Sequence, residues 1–220
     1  MYAQALEWSA QGIHLVSTDE KTGIQALERA HPTKPMRPGL VACYEFEYIR
    51  HGTQALIANL EVATGKCLMP SLGATRTEAD FVAHIAQTIA LDAPAPCIFV
   101  VDQLNTHMSE SLVRLVAQHE ALEEDLGEKG KHGILQSKKT RKAFLQQEAH
   151  RIRFVYTPTH TSWLNQIETW FSILVRRLLK RGSFVSVTEL RERILAFVEY
   201  FNRTMAKPFK WTYKGRPLTI

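Results

Sequence analysis

Residues 97–107 read "CIFVVDQLNTH", an apolar run that stops at a carboxylate. Ile98, Phe99, Val100 and Val101 carry no polar neighbour between them, which is the pattern of a strand buried on both faces in a parallel sheet. Asp102 ends the run and polar residues follow at once. An acid in that place can be an ordinary turn residue, because Asp is common where strands end. It can also be one half of a paired site. The rest of the chain has to decide between the two.

Upstream, "GIHLVSTDE" (12–20) is a second strand that runs into acid, at Asp19 and Glu20. "LVACYEFEYI" (40–49) is rich in β formers, and "RHG" follows, with Gly52 able to take a positive φ. "TQALIANLEV" (53–62) then reads as its hairpin partner, and a short strand is expected over 67–72. "TEADFVAHIAQTIAL" (77–91) places Phe81, Val82, Ile85 and Ile89 at helical spacing behind a Thr77–Asp80 capping box. Downstream of the opening stretch come a helix capped by Ser109 (109–122), a strand over 151–157 and a helix over 162–182. That last helix has Ser162 as N-cap, Gly182 as stop, and a stripe of Trp163, Ile167, Phe171, Leu174, Val175 and Leu178. A final helix starts at a Ser186–Glu189 capping box. The tail, "KPFKWTYKGRP", shows no clear element, and no internal repeat is present.

Hairpin strands first and crossover helices later predict an α/β fold with a mixed five-stranded sheet flanked by helices. If the strand order is 3-2-1-4-5, the strand ending at Asp19 lies parallel to the strand ending at Asp102. Their carboxyl ends then meet where the order reverses, which is where ligand sites of open α/β sheets tend to lie. Two adjacent carboxylates repel, so one protonates or a cation binds between them. A donor set of oxygens alone suits Mg²⁺ or Mn²⁺. Glu168, early in the 162–182 helix and off its apolar stripe, is the best third acid. Two ions held by such a cluster suit an in-line phosphodiester displacement.

Composition narrows the field. The chain has 220 residues, 45% of them hydrophobic, enough for a sizeable core. No apolar run approaches the roughly 18 residues that cross a bilayer, and the first residues lack the basic and apolar segments of a secretion signal. Cys43, Cys67 and Cys97 form no C-x-x-C pair, which fits reduced thiols in a cytoplasmic chain and excludes a zinc ribbon. No H-x-x-x-H spacing, Gly-rich phosphate loop or G-x-S-x-G elbow occurs. Net charge is +5, concentrated in "RRLLKRG" (176–182) and "KGKHGILQSKKTRK" (129–142). Arg176, Arg177, Lys180 and Arg181, with Lys138, Lys139 and Arg141, are the expected phosphate contacts. A solvated face and capping of a helix C-terminus explain the same residues as well. Asn105, His107, His160 and Asn165 are the supporting polar residues, with structural hydrogen bonding the more ordinary role for the histidines.

"STDEKTGIQALER", "RHGTQALIA", "VVDQLNTH", "YTPTHTSWLNQIETWFSILVRRLLKRGSF" and "NRTMAKPFKWTYKG" together resemble the catalytic domain of mariner-related bacterial insertion-sequence transposases. These are DDE superfamily proteins with an RNase H-like fold. The resemblance covers nearly the whole chain. It implies Asp19, Asp102 and Glu168 as the catalytic acids and ligands of two Mg²⁺ or Mn²⁺ ions. It also implies cleavage at transposon ends, strand transfer into a target that is commonly TA, and a homodimer on DNA. Three departures stand out. Gln103 replaces the usual Asn after the second Asp. The second Asp and the Glu are 66 residues apart (168 − 102), about twice the family's usual spacing, which places an insertion at 123–149, with a tolerated surface loop and added DNA contacts as equal readings of it. The helix-turn-helix modules of full-length relatives do not precede Met1, which leaves open an upstream DNA-binding part that is lost, divided off by a frameshift, removed, or supplied separately. An RNase H-like nuclease without strand transfer, and an inactive remnant that binds DNA or dimerises, remain as alternatives.

Overall fold

A computed structural model describes residues 1–32, 34–43, 45–123 and 125–212. The end of the tail, residues 213–220, lies outside the described residues. Five strands form one sheet: β1 (His14–Arg29), β2 (Tyr48–Glu61), β3 (Cys67–Gly73), β4 (Cys97–Val101) and β5 (Ile152–Tyr156). Their order is β3-β2-β1-β4-β5. β1 pairs antiparallel with β2 and parallel with β4, and β4 pairs parallel with β5. The central strand is therefore the point of reversal, as the sequence predicts.

Among the described residues six α-helices cover the sheet: α1 (Ala5–Ala10), α2 (Glu78–Ile89), α3 (Glu110–His119), α4 (Lys138–Leu145), α5 (Ile167–Leu174) and α6 (Val187–Thr204). Alternation along the strands sends Val16, Phe99, Val101 and Phe154 to one face, beneath Phe81 and Ile85 of α2 and Leu112 and Val116 of α3. Leu15, Ile98 and Val100 face the other way, against Ala5 of α1. Trp170 and Leu174 of α5 and Leu190, Ile194 and Val198 of α6 bury Leu56, Ala58 and Leu60 on the β2 side.

Three expectations change. The hairpin turn does not fall at "RHG": β1 continues to Arg29 and β2 runs through Gly52. The ladder skips His51 of β2, between the Ala26–Gly52 and Leu27–Arg50 pairs. A side chain at Gly52 would meet Val187 Cγ2 at 2.8 Å, and φ is +132°, so Gly52 serves a bulge beneath α6 and not a turn. The helix expected over 162–182 is broken. A 3₁₀ turn (Ser162–Leu164), an extended Asn165, α5 and a π-helical run (Val175–Leu179) take its place. Trp163 is 54% exposed and Trp170 fills the buried position. Finally, the 123–149 segment is more than a surface loop. Its Leu135, Phe144 and Leu145 are buried in the same core as Phe99 and Phe154.

Candidate active site

β1 and β4 present two acids side by side. Their parallel register pairs Ser17 with Val100, and two residues further on Asp19 stands level with Asp102. Both point to the face that carries α5. Asp19 is 6% exposed, and its Oδ1 accepts the Glu20 N–H at 2.8 Å. Burial, and then the charge of Asp102, push its carboxyl up to about 7. Such a carboxyl is the mark of a place that favours either a proton or a cation.

Asp102 is fixed differently. Its Oδ1 accepts the Leu104 N–H at 2.8 Å and lies 2.8 Å from His107 Nδ1. Among the described residues Oδ2 has no hydrogen-bond partner. Burial acts to raise this carboxyl, but the His107 hydrogen bond, the Leu104 amide and the charges of His107 and Lys138 outweigh it and hold it below the usual range. His107 is fully buried between Asp102 and Glu20, with Nε2 3.1 Å from Glu20 Oε2. Burial opposes its charge, yet the two carboxylates raise the imidazole to about 10. The ring therefore cannot touch DNA; it stands behind the acids.

Glu168 lies in the first turn of α5, and its entry into the site is set by Asn165. Asn165 is fully buried, donates from Nδ2 to the Thr18 carbonyl at 2.8 Å, and lies 3.4 Å from Asp19 Oδ2. Ser17 Oγ donates to Asn165 Oδ1 and accepts the Ile167 N–H at 2.9 Å. A strand hydroxyl thus caps the helix that carries Glu168, where Gln166 supplies no side-chain cap. Glu168 lines a cavity of about 300 Å³ with Lys21, Phe171, Ser172, Val175 and Arg176. Among the described residues, no three His, Cys, Asp or Glu side chains stand close enough to hold one ion. The structure brings Asp19 and Asp102 together and leaves Glu168 at the neighbouring cavity. The Asp pair fits a divalent cation by its donor chemistry, and Glu168 completes no shared cluster with it.

The other expected residues divide into two groups. Arg176, Arg177 and Arg181 line an open cavity of about 430 Å³ with Ile173. Arg176 borders this cavity and the Glu168 cavity, and Lys180 is exposed beside them. By contrast, Lys138 Nζ donates to Gln103 O at 3.0 Å and Asn105 Oδ1 at 2.9 Å. Arg141 donates to the Met108 and Leu135 carbonyls. These two cations hold the loop after Asp102, and Lys139 alone of the three is exposed without such a bond. Gln103 donates to Thr157 O at 2.9 Å, which ties the end of β4 to the end of β5. His160 is exposed in the left-handed region, with φ +62°. Lys21 and Glu20 were not singled out from the sequence. The signal for Lys21 was its place two residues after Asp19 on one strand, which puts both on the same face.

A family model described as DDE superfamily endonuclease matches residues 14–191. The chain belongs to the DDE superfamily endonucleases. Three solved structures share this endonuclease fold. The Mos1 mariner paired-end complex with Mn has a TM-score of 0.53 at 13% identity, with 92% of this chain and 55% of that chain covered. A pre-cleavage Mos1 transpososome has a TM-score of 0.54 at 13% identity, with 91% and 55% covered. The Mos1 transposase paired-end complex with left transposon end has a TM-score of 0.53 at 12% identity, with 90% and 52% covered. This DDE endonuclease chain thus spans about half the length of the solved chains it matches. No curated protein sequence matches it. No helix among the described residues is long and apolar enough to cross a membrane.

Proposed function

We propose that this chain is the catalytic domain of a transposase. In this reading it hydrolyses a phosphodiester at a transposon end and then joins the freed 3′-OH to a target phosphodiester. The observation that carries the proposal is Asp19 set level with Asp102 at the reversal of the sheet, with burial first and the charge of Asp102 second raising the Asp19 carboxyl to about 7. Family membership and the transposon-end complexes among the structural neighbours support it.

Asp19 and Asp102 would hold Mg²⁺ or Mn²⁺, and Glu168 would serve the second of two ions once DNA fills the adjoining cavity. Bound there, divalent cations supply activation of the attacking hydroxyl and neutralisation of charge on the leaving oxygen. The chain's own residues do the rest. Asn165 and Ser17 hold Glu168 at the edge of β1. Lys21 and Arg176 offer positive charge at the Glu168 cavity. Arg177, Lys180, Arg181 and Lys139 would carry the phosphate backbone without reading sequence. End recognition would come from a DNA-binding part joined to or supplied beside this domain, acting as a homodimer on paired ends in the bacterial cytoplasm.

The test is Mg²⁺-dependent cleavage of transposon-end DNA by the native chain and by Asp102→Ala. Cleavage lost in a folded Asp102→Ala protein is the expected result, and equal cleavage would refute the assignment. A precut 3′-OH donor distinguishes a transposase, which yields joined product, from a nuclease that does not.

A further inference from the structure

We infer that Glu20 and His107 form a positioning pair that presents Asp102 to a divalent cation through Oδ2 alone; the inference rests on the metal reading of the Asp19–Asp102 site. A carboxylate on the loop after a strand has free torsions, and either oxygen can turn toward a ligand. Here Oδ1 accepts the Leu104 N–H at 2.8 Å and pairs with His107 Nδ1 at 2.8 Å, and the same Nδ1 lies 3.3 Å from the Asp102 main-chain carbonyl, so His107 grips Asp102 by side chain and backbone alike. His107 is itself immobilised. Its Nε2 lies 3.2 and 3.1 Å from the two Glu20 oxygens. Its ring packs on Phe81, with centroids 4.3 Å apart. Its carbonyl accepts the Tyr156 hydroxyl at 2.7 Å.

Glu20 follows Asp19 on β1, and alternation sends it to the opposite face of the sheet. One dipeptide therefore gives an acid to the site and braces the other acid from behind. The separation of the two Asp residues is fixed by a chain of bonds running from β1, around the end of β4, to Oδ1. Stability is a weak explanation of this arrangement. Glu20 and His107 have side chains 1% and 0% exposed, and a buried ion pair of that kind is commonly no more stabilising than apolar residues of similar volume. Partners behind a ligating group that fix its orientation do change metal affinity, by roughly ten- to a hundred-fold when removed.

The experiment measures Mn²⁺ binding to the full chain without DNA, from the free-Mn²⁺ electron paramagnetic resonance signal, alongside thermal melting. The double variant Glu20→Met with His107→Leu is expected to melt near the native temperature and to bind Mn²⁺ roughly ten-fold or more weakly. Glu20→Gln keeps an acceptor for Nε2 and is expected to bind within about three-fold of native, while Glu20→Ala binds as weakly as the double variant. Native affinity in the folded double variant overturns the inference. Should that variant not fold, equal affinity of Glu20→Ala and Glu20→Gln overturns it instead. Asp102→Ala is the control: if it binds Mn²⁺ like the native chain, the metal reading of the site fails, whatever the braces do.

Discussion

Asp19 is a carboxylate that the folded chain holds at a cost. Its folded pKa, about 7, exceeds the ordinary value of 3.8, so the fold favours its protonated form. That contribution to stability is complete below the ordinary value and is lost as pH rises through about 7. Asp19→Asn, which keeps the acceptor for the Glu20 amide, should therefore stabilise the metal-free protein by roughly 1–3 kcal/mol at pH 8. The gain should shrink as pH falls towards 4, and melting curves across that range decide it. His84 behaves in the reverse sense. Burial lowers it to about 4 from 6.5, Nδ1 meets Ser71 Oγ at 2.8 Å, and Nε2 has no partner among the described residues. Stability tied to its neutral form is full above 6.5 and is lost as pH falls towards 4. His84→Leu should flatten the acid limb of a stability profile, and an unchanged limb would count against the assignment. At this scale the sequence shows Asp19 and Asp102 because each ends an apolar run. It does not show His107 as a brace, because nothing in local spacing reveals that a loop histidine will be covered on every side.

Among the elements, the entry to α5 is where local and tertiary forces disagree. Apolar spacing is continuous from Trp163 to Leu178 and reads as one helix. The bonds of Asn165 to Thr18 and Ser17 pull the chain into an extended residue and delay the helix to Ile167. Such bonds reach across 147 and 148 residues, and a sequence window cannot contain them. Ser17→Ala removes both the cap of Ile167 and the partner of Asn165. It should destabilise the fold by roughly 1–3 kcal/mol and lower cleavage more than melting alone explains, because Glu168 loses its fixed entry. By contrast, the Thr77–Asp80 capping box of α2 is legible in full, since all its partners lie within three residues. At α6, Ser186 caps Glu189 as expected, while the Glu189 carboxylate turns one residue further back, to the Val185 N–H.

Over the whole molecule, the strand order was readable because hairpins and crossovers leave few other topologies. Positive charge was readable as composition but not as arrangement. Arg176, Arg177 and Arg181 gather around one cavity, whereas Lys138 and Arg141 turn inward. If the former carry phosphates, Arg177→Ala with Arg181→Ala should weaken DNA binding for all sequences alike. The dependence of log affinity on log salt should also flatten, by about two units. Titrations at several salt concentrations would measure this, and an unaltered slope would remove the two residues from the interface.

In the long segment before β5, a charged majority hides three apolar anchors from a reading of the sequence. Leu135, Phe144 and Leu145 close the core over Phe99 and Phe154, and Lys138 ties down the carbonyl of Gln103 just past Asp102. This stretch is a supporting wall. Excising 123–149 would uncover aromatic core and slacken the turn that bears an acid.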